Sequence, residues 1–254
     1  MDTGLVRDYF NSDAAVAHYL EASQELGLWA SEEKIFSRIF QPADSLLELG
    51  CGAGRIAIGL YELGYKNVLA TDYAKNMVQA ARHLARKLEY RMAFRLADAK
   101  CLEFEDNIFD GAIFGFNGWT QIPGAENRQR ALHEIYRVLR PGAYFVLTTH
   151  DRDRSPHQSF WRQESERWAR GAQDPHLLEL GDRLEPQATG AHYMHVPTYQ
   201  GVEQSLQAVG FLLEASIMRS ELGQESSAVE NYSDDCRFWL VQKPDAQGTQ
   251  SCTL

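Results

Sequence analysis

No apolar run in the 254 residues approaches the length of a membrane span. The N-terminus lacks the apolar stretch of a secretory leader. These absences set an expectation of cytoplasmic residence and no membrane partner. Cysteine is scarce: Cys51, Cys101, Cys236 and Cys252 are scattered without a C-x-x-C pair. That argues against a zinc framework, so no metal is expected and reduced thiols are the simplest reading. Positive charge is also short, with 25 Lys and Arg against 35 Asp and Glu and a net charge of −10. Such a balance opposes a nucleic-acid partner, and Arg152, Arg154 and Arg162 are too interleaved with acids to form a basic patch. There is no low-complexity tract and no internal repeat. No G-K-[ST] follows the glycine-rich stretch, which excludes a P-loop.

What is present centres on residues 45–60, SLLELGCGAGRIAIGL. An apolar run of strand length is followed by Gly50, Gly52 and Gly54, then by Ile56, Ala57 and Leu60 at helical spacing. This predicts a strand, a tight turn and a helix N-terminus, where bare main chain and free N–H groups favour an electron-rich ligand group. The spacing G-x-G-x-G differs from the dinucleotide pattern G-x-G-x-x-G. Glu48, just before the first glycine, suits a ligand carrying ammonium or sulfonium charge and sits badly beside a pyrophosphate. Cys51 within the loop reads as a small packing residue.

The stretch resembles the first motif of the class I S-adenosylmethionine-dependent methyltransferases, E/D-x-G-x-G-x-G, matched by Glu48, Gly50, Gly52 and Gly54. Further matches follow in order. A strand over 67–71 ends at Asp72, placed to accept ribose hydroxyls or, alternatively, to cap the next helix. The run 72–77 resembles the family's D-x-S-x-x-M with alanine for serine, which implies that Tyr73 and Met77 flank the ribose and adenine. A third strand ends at Asp98-Ala99, where the resemblance implies a hydrogen bond from the adenine amino group to the carboxylate and one from the next backbone N–H to a ring nitrogen. Residues 108–114 match the family's F-D-x-[AV] strand, and 132–151, LHEIYRVLRPGAYFVLTTHD, resemble the L-R-P-G-G region. The [ND]-P-P-[YF] tetrad of enzymes acting on amide or base nitrogens is missing after that fourth strand. Asn117 stands there instead, as a contact for the methionine portion or the substrate.

The resemblance implies an α/β fold: a Rossmann-like, seven-stranded, mostly parallel sheet with helices on both faces and an antiparallel last strand. One methyltransferase domain over 1–244 is expected. It divides into a helical lid (1–40), a cofactor core (41–150), a substrate-cover insertion after the fifth strand (151–197) and the end of the sheet (198–244), before a frayed tail over 245–254. In the lid, Asp13 and Ser31 are read as helix starts. The run 140–142, Arg-Pro-Gly, is read as the end of a helix over 126–139. Within the insertion, 177–185 and 191–196 are read as a strand pair.

The implied reaction is methyl transfer from S-adenosyl-L-methionine to a small-molecule nucleophile (O, N or S). The candidate bases are His150 at a strand end, His195 and Asp151. Tyr19, Trp119 and His192 are candidate substrate contacts, although packing in the core accounts equally for Tyr19 and Trp119. Two competing readings stay open. An NAD-dependent oxidoreductase explains the glycine loop and Asp72 but not Glu48 or Asp98-Ala99. A non-catalytic adenosylmethionine-binding protein explains the motifs without the aromatic, histidine-rich cover.

Overall fold

The computed structural model describes residues 3–245, so most of the polar tail and Cys252 lie outside the described residues. Three helices come first, α1 (Thr3–Phe10), α2 (Asp13–Glu25) and α3 (Ala30–Ile39). The sheet elements then alternate with helices: β1 (Leu46–Leu49), α4 (Arg55–Glu62), β2 (Val68–Asp72), α5 (Lys75–Lys87), β3 (Ala93–Leu96), β4 (Phe109–Phe114), α6 (Ala125–Val138) and β5 (Leu139–Thr149). After β5 come α7 (Gln158–Ala169) and a separate hairpin, β6 (Asp182–Gln187) with β7 (Gly190–His195). The chain returns through α8 (Tyr199–Val209), β8 (Leu212–Met218), α9 (Arg219–Leu222), α10 (Ser227–Tyr232) and β9 (Arg237–Gln242).

The seven-stranded sheet has the order β3-β2-β1-β4-β5-β9-β8. Its strands are parallel except β9, which runs antiparallel between β5 and β8. Side-chain alternation along β1 assigns its two faces. Leu46 points to a core shared with Phe36, Ile56, Val78 and Phe238, whereas Leu47 and Leu49 point to one shared with Leu132, Ile135, Leu206 and Trp239. Helices α3, α4 and α5 therefore cover one face, and α6 with α8 the other. A third cluster, Val6, Phe10, Ala15, Met77 and Tyr193, joins the N-terminal helices to α5 and the hairpin. No described helix is long and apolar enough to cross a membrane.

Gly111, in the middle of β4, shows how closely one face is packed. A Cβ there would stand 2.4 Å from the Phe40 ring and 2.9 Å from Leu46. Gly111→Val is expected to destabilise the fold by roughly 3 kcal/mol through overpacking. An unchanged urea midpoint would contradict that packing.

Several local expectations need correction. Ser12, not Asp13, caps α2, accepting from the Ala15 amide. Helix α3 starts from Trp29, whose amide donates to Glu32, so Ser31 lies inside the first turn. Arg140-Pro141-Gly142 does not turn out of the helix. It lies within β5, beside a register shift between Phe109 and Gly111 on the neighbouring strand, and Gly142 has φ +80° while its amide donates to the Lys243 carbonyl. A proline fits a strand at such an irregularity because no ladder donor is needed. The first strand of the 151–197 segment begins at Asp182, because residues 177–181 form the turn that presents its carboxylate to the Leu178 and Glu179 amides. Helices α9 and α10 had no counterpart in the sequence reading.

Candidate active site

The strand tips of β1, β2 and β4 converge on a cleft. The glycine loop forms its floor. Gly50 has φ +62°, and a Cβ on it would meet the Phe114 ring at 2.7 Å. Gly52 has φ +53° and lies under Tyr19, 3.3 Å from where its Cβ would be. Larger residues at either place would be strained and would fill the space above the main chain. Gly54 is buried behind the loop as the N-cap of α4.

Asp72 ties this loop to the second strand. One carboxylate oxygen accepts from the Gly52 amide at 2.8 Å and the other from the Ala74 amide at 2.8 Å. Burial pushes its pKa up to about 6, and those amide hydrogen bonds hold the rise back. Each oxygen retains a lone pair for a further donor. The cleft is also lined by Tyr73, Met77, Asp98 and Ala99. Asp98 is exposed, its carboxylate accepting from the Lys100 amide at 2.9 Å. Phe10 of α1 and Tyr19 of α2 close the cleft from above.

Gly50, Gly52, Gly115, Phe116 and Tyr19 also border a second, smaller recess of about 360 Å³, where Glu48, Cys51, Ser23, Arg55 and Tyr232 line the wall. Glu48 is 2% exposed, and its Oε2 has no hydrogen-bond partner. Burial pushes its carboxyl up to about 8, against the pull of Arg55 and with repulsion from Glu32 and Asp72. Arg55 is committed elsewhere: it forms a two-point ion pair with Glu32, 2.6 Å in each contact, and lies over the Trp29 ring. The recess therefore holds a carboxyl that lacks a cationic partner of its own. Burial raises the Cys51 thiol well above its ordinary pKa, which removes it as a thiolate nucleophile.

The base candidates fall in different places. His150 lines a third cavity of about 1310 Å³, between the tip of β5, α7 and the hairpin. Both of its ring nitrogens are engaged, Nδ1 with the Asp235 carbonyl and Nε2 with the Asn117 amide nitrogen, each at 3.2 Å. An Nδ1–H facing a carbonyl leaves Nε2 to accept from Asn117. Burial lowers the His150 pKa, so the ring is neutral near pH 7. Asn117 lies behind the cleft wall, buried at φ +59° with its amide donating to Thr148. Asp151 borders the third cavity but is spent in a buried ion pair with Arg237 at 2.8 Å. His195 does not reach either space. Its Nδ1 meets Asp182 at 2.9 Å, and its edge faces a recess shared with Arg128 and Arg152.

Among the described residues, Glu179, Asp182 and His195 lie close enough together to hold a cation. The Arg128 guanidinium already bonds Glu179 at 2.5 Å and supplies that charge. Trp119 is core: it is 2% exposed, and its indole N–H donates to the Arg128 carbonyl at 3.0 Å. His192 lines the third cavity and lies against Tyr9. The sequence reading missed Phe10 and Tyr232 as lining residues, whereas the run 115–119, expected at the edge of the site, does bring Phe116 to it. Phe116 has φ +47° and stacks on Tyr232, a pairing across more than a hundred residues with no local signal.

Residues 47–147, which span the glycine loop, the Asp72 and Asp98 strand ends and most of β5, match the family model described as a methyltransferase domain. That stretch is a methyltransferase domain, and the chain is similar to the class I S-adenosylmethionine-dependent methyltransferases. A methyltransferase relative, the demethylmenaquinone methyltransferase of Symbiobacterium thermophilum, is 28% identical over 147 residues, 56% of this chain and 57% of that protein. The 2-phytyl-1,4-naphtoquinone methyltransferase of Nostoc punctiforme is 28% identical over 170 residues, 63% of this chain and 71% of that one. The chain thus spans little more than half the length of the first of these relatives. A solved methyltransferase structure from Methanosarcina mazei superposes with a TM-score of 0.66 at 23% identity, covering 83% of this chain and 97% of that one. That likeness establishes the fold. The family's cofactor is S-adenosylmethionine, and its methyltransferase motifs take the place of the dinucleotide alternative.

Proposed function

We propose that the protein transfers the methyl group of S-adenosylmethionine to a small-molecule acceptor. The observation that carries this is the pairing of a buried Glu48, whose Oε2 has no hydrogen-bond partner, with a bare glycine loop held by Asp72. One arrangement offers a counter-charge for a cationic amino-acid tail and an acceptor for ribose hydroxyls on either side of Gly50. In this reading Asp98 and the Ala99 amide take the adenine edge, Tyr73 and Met77 flank it, and Gly50 and Gly52 present main chain to the sugar and sulfur. Helices α1 to α3 are the lid, and 151–197 is the cover of an acceptor chamber, the cavity beside His150. Bound in the cleft, the cofactor would supply a methyl group on a positively charged sulfur, which would leave as a neutral thioether. The protein's own contribution is alignment and exclusion of water. The chain's acidity favours a small acceptor over RNA.

Calorimetric titration with adenosylhomocysteine and, separately, with NAD tests the cofactor reading. Adenosylhomocysteine is expected to bind and NAD to give no heat of binding. The reverse result would overturn it.

A further inference from the structure

The last two strands of the sheet are joined by more chain than a hairpin needs. Residues 219–236, between β8 and β9, carry α9 and α10. This connection is tied to the first part of the chain. Both oxygens of Glu225 accept from the start of α3, from the Ala30 amide at 3.1 Å and the Ser31 amide at 3.0 Å. A carboxylate there also complements the positive end of the helix dipole. Lys34 of α3 donates to the Leu222 carbonyl at 2.5 Å, and Arg219 to the Ser233 carbonyl at 2.8 Å. So anchored, α10 delivers Tyr232 to the recess beside the glycine loop.

The Tyr232 ring stacks on His18 of α2, 5.0 Å between centres and 19° between planes, and on Phe116 past the tip of β4, at 5.6 Å and 26°. These contacts hold the ring but leave its oxygen unserved. The hydroxyl is buried and has no hydrogen-bond partner among the described residues. Such a group is costly to bury unpaired, which points to a partner that arrives with a ligand. The same recess holds the free Oε2 of Glu48. Other hydroxyls on its wall are engaged: Ser23 donates to the Tyr19 carbonyl at 2.9 Å, and the Tyr19 hydroxyl meets the Gln121 side chain, which borders the cleft. The Arg55 charge, itself held by Glu32, bears on the Tyr232 oxygen and favours an anion beside it. The recess thus offers an acceptor without a donor and a donor without an acceptor. A zwitterion satisfies both.

Resting on the S-adenosylmethionine reading above, we propose that Tyr232 is a specificity residue for the cofactor. Its hydroxyl donates to the carboxylate of the amino-acid tail, while Glu48 faces the ammonium. The connection between β8 and β9 thereby does more than close the sheet: it selects nucleosides that carry a complete tail.

Three nucleosides separate the roles. Adenosylhomocysteine has both tail charges, its decarboxylated analogue has the ammonium alone, and methylthioadenosine has neither. Binding of each to the full chain is measured by calorimetry for wild type and for Tyr232→Phe, which keeps the ring stack and removes the oxygen. Tyr232→Phe is expected to bind adenosylhomocysteine about tenfold more weakly, through loss of one hydrogen bond to a charged group. It should bind the other two as wild type does, and unaltered methylthioadenosine binding doubles as the check that the cleft is folded. Glu48→Gln should instead weaken both ammonium-bearing ligands and spare methylthioadenosine. Equal weakening of all three by Tyr232→Phe, or an unchanged affinity for adenosylhomocysteine, overturns the proposal. A loss shared with the decarboxylated analogue places Tyr232 at the ammonium and overturns it too. Failure of adenosylhomocysteine to bind wild type would sink the cofactor reading, whereas binding without the tail-dependent loss sinks this proposal alone.

Discussion

Glu48→Gln is expected to weaken adenosylmethionine binding by about two orders of magnitude while making the ligand-free protein more stable at pH 8. The first effect follows from removing the free Oε2 of Glu48 from the recess, since a hydrogen bond to a charged group contributes about 1.5–3 kcal/mol. The second follows from its burial. A carboxyl whose pKa is raised to about 8 in the fold holds its proton more tightly there than in the unfolded chain. Its contribution is therefore fully present below about pH 4.5, the ordinary glutamate value, and is lost as pH rises through 8. Asp72 has the same sign over a lower window, between its ordinary value of 3.8 and about 6. Both groups make the ligand-free protein lose stability as pH rises from acid to about 8, at about 1.4 kcal/mol per unit for each group within its window. Glutamine stays neutral, so the variant should keep what wild type loses, and a rise in Tm of about 10 °C at pH 8 is expected.

Ligand affinity moves the other way. A cationic tail needs Glu48 ionised, so wild-type affinity should climb as pH approaches 8, by about tenfold per unit. The glutamine variant should lack that slope. Comparing adenosylmethionine with adenosylhomocysteine then identifies the charge that Glu48 faces. A slope in both points to the shared ammonium, and a slope in adenosylmethionine alone points to the sulfonium. Equal affinities for wild type and variant across that range would remove Glu48 from the site.

The parts of the site legible in the sequence are those that main-chain geometry dictates. Gly50 and Gly52 are fixed by left-handed backbone and by Phe114 and Tyr19 pressing where side chains would be, and such demands leave a mark in residue type. Asp72 and Asp98 are legible because they end strands at regular intervals after that loop. Asp72 is not the cap of α5, which starts from Ala74; its carboxylate accepts from the Ala74 amide in the turn before the helix and lines the cleft wall. Residues joined across long separations were not legible. Tyr232 reaches Phe116 and the glycine loop from a six-residue helix too short to show periodicity. Trp119 and His195 show the converse. Each sits in sequence beside a strand tip or in a histidine-rich segment, yet each is turned inward by a buried partner, the Arg128 carbonyl for one and Asp182 for the other. Residue type does not reveal such a turn, because an aromatic ring or an imidazole satisfies a core hydrogen bond as readily as it lines a pocket.

Asp72→Ala is the substitution expected to cost most, because its carboxylate serves the fold and the cleft with the same two oxygens. Its removal leaves the buried Gly52 and Ala74 amides without acceptors, at about 1–3 kcal/mol each, and releases the loop that forms the floor. Adenosylhomocysteine affinity should fall by about three orders of magnitude, the loss of charge-assisted ribose bonds adding to the loss of a pre-formed floor. Asp72→Asn separates the two roles. Its single carbonyl can accept from one amide, while its NH₂ faces the other donor, so roughly half the stability loss should remain and ribose binding should still fail. Amide hydrogen exchange reads the structural part directly: Gly52 and Ala74 should both lose protection in the alanine variant and only one of them in the asparagine variant. In wild type, protonation of Asp72 below about pH 6 should reproduce the binding loss, well separated from the Glu48 slope that ends near pH 8. If the alanine variant binds adenosylhomocysteine within tenfold of wild type while both amides exchange freely, Asp72 is a clasp for the loop and does not hold the ribose.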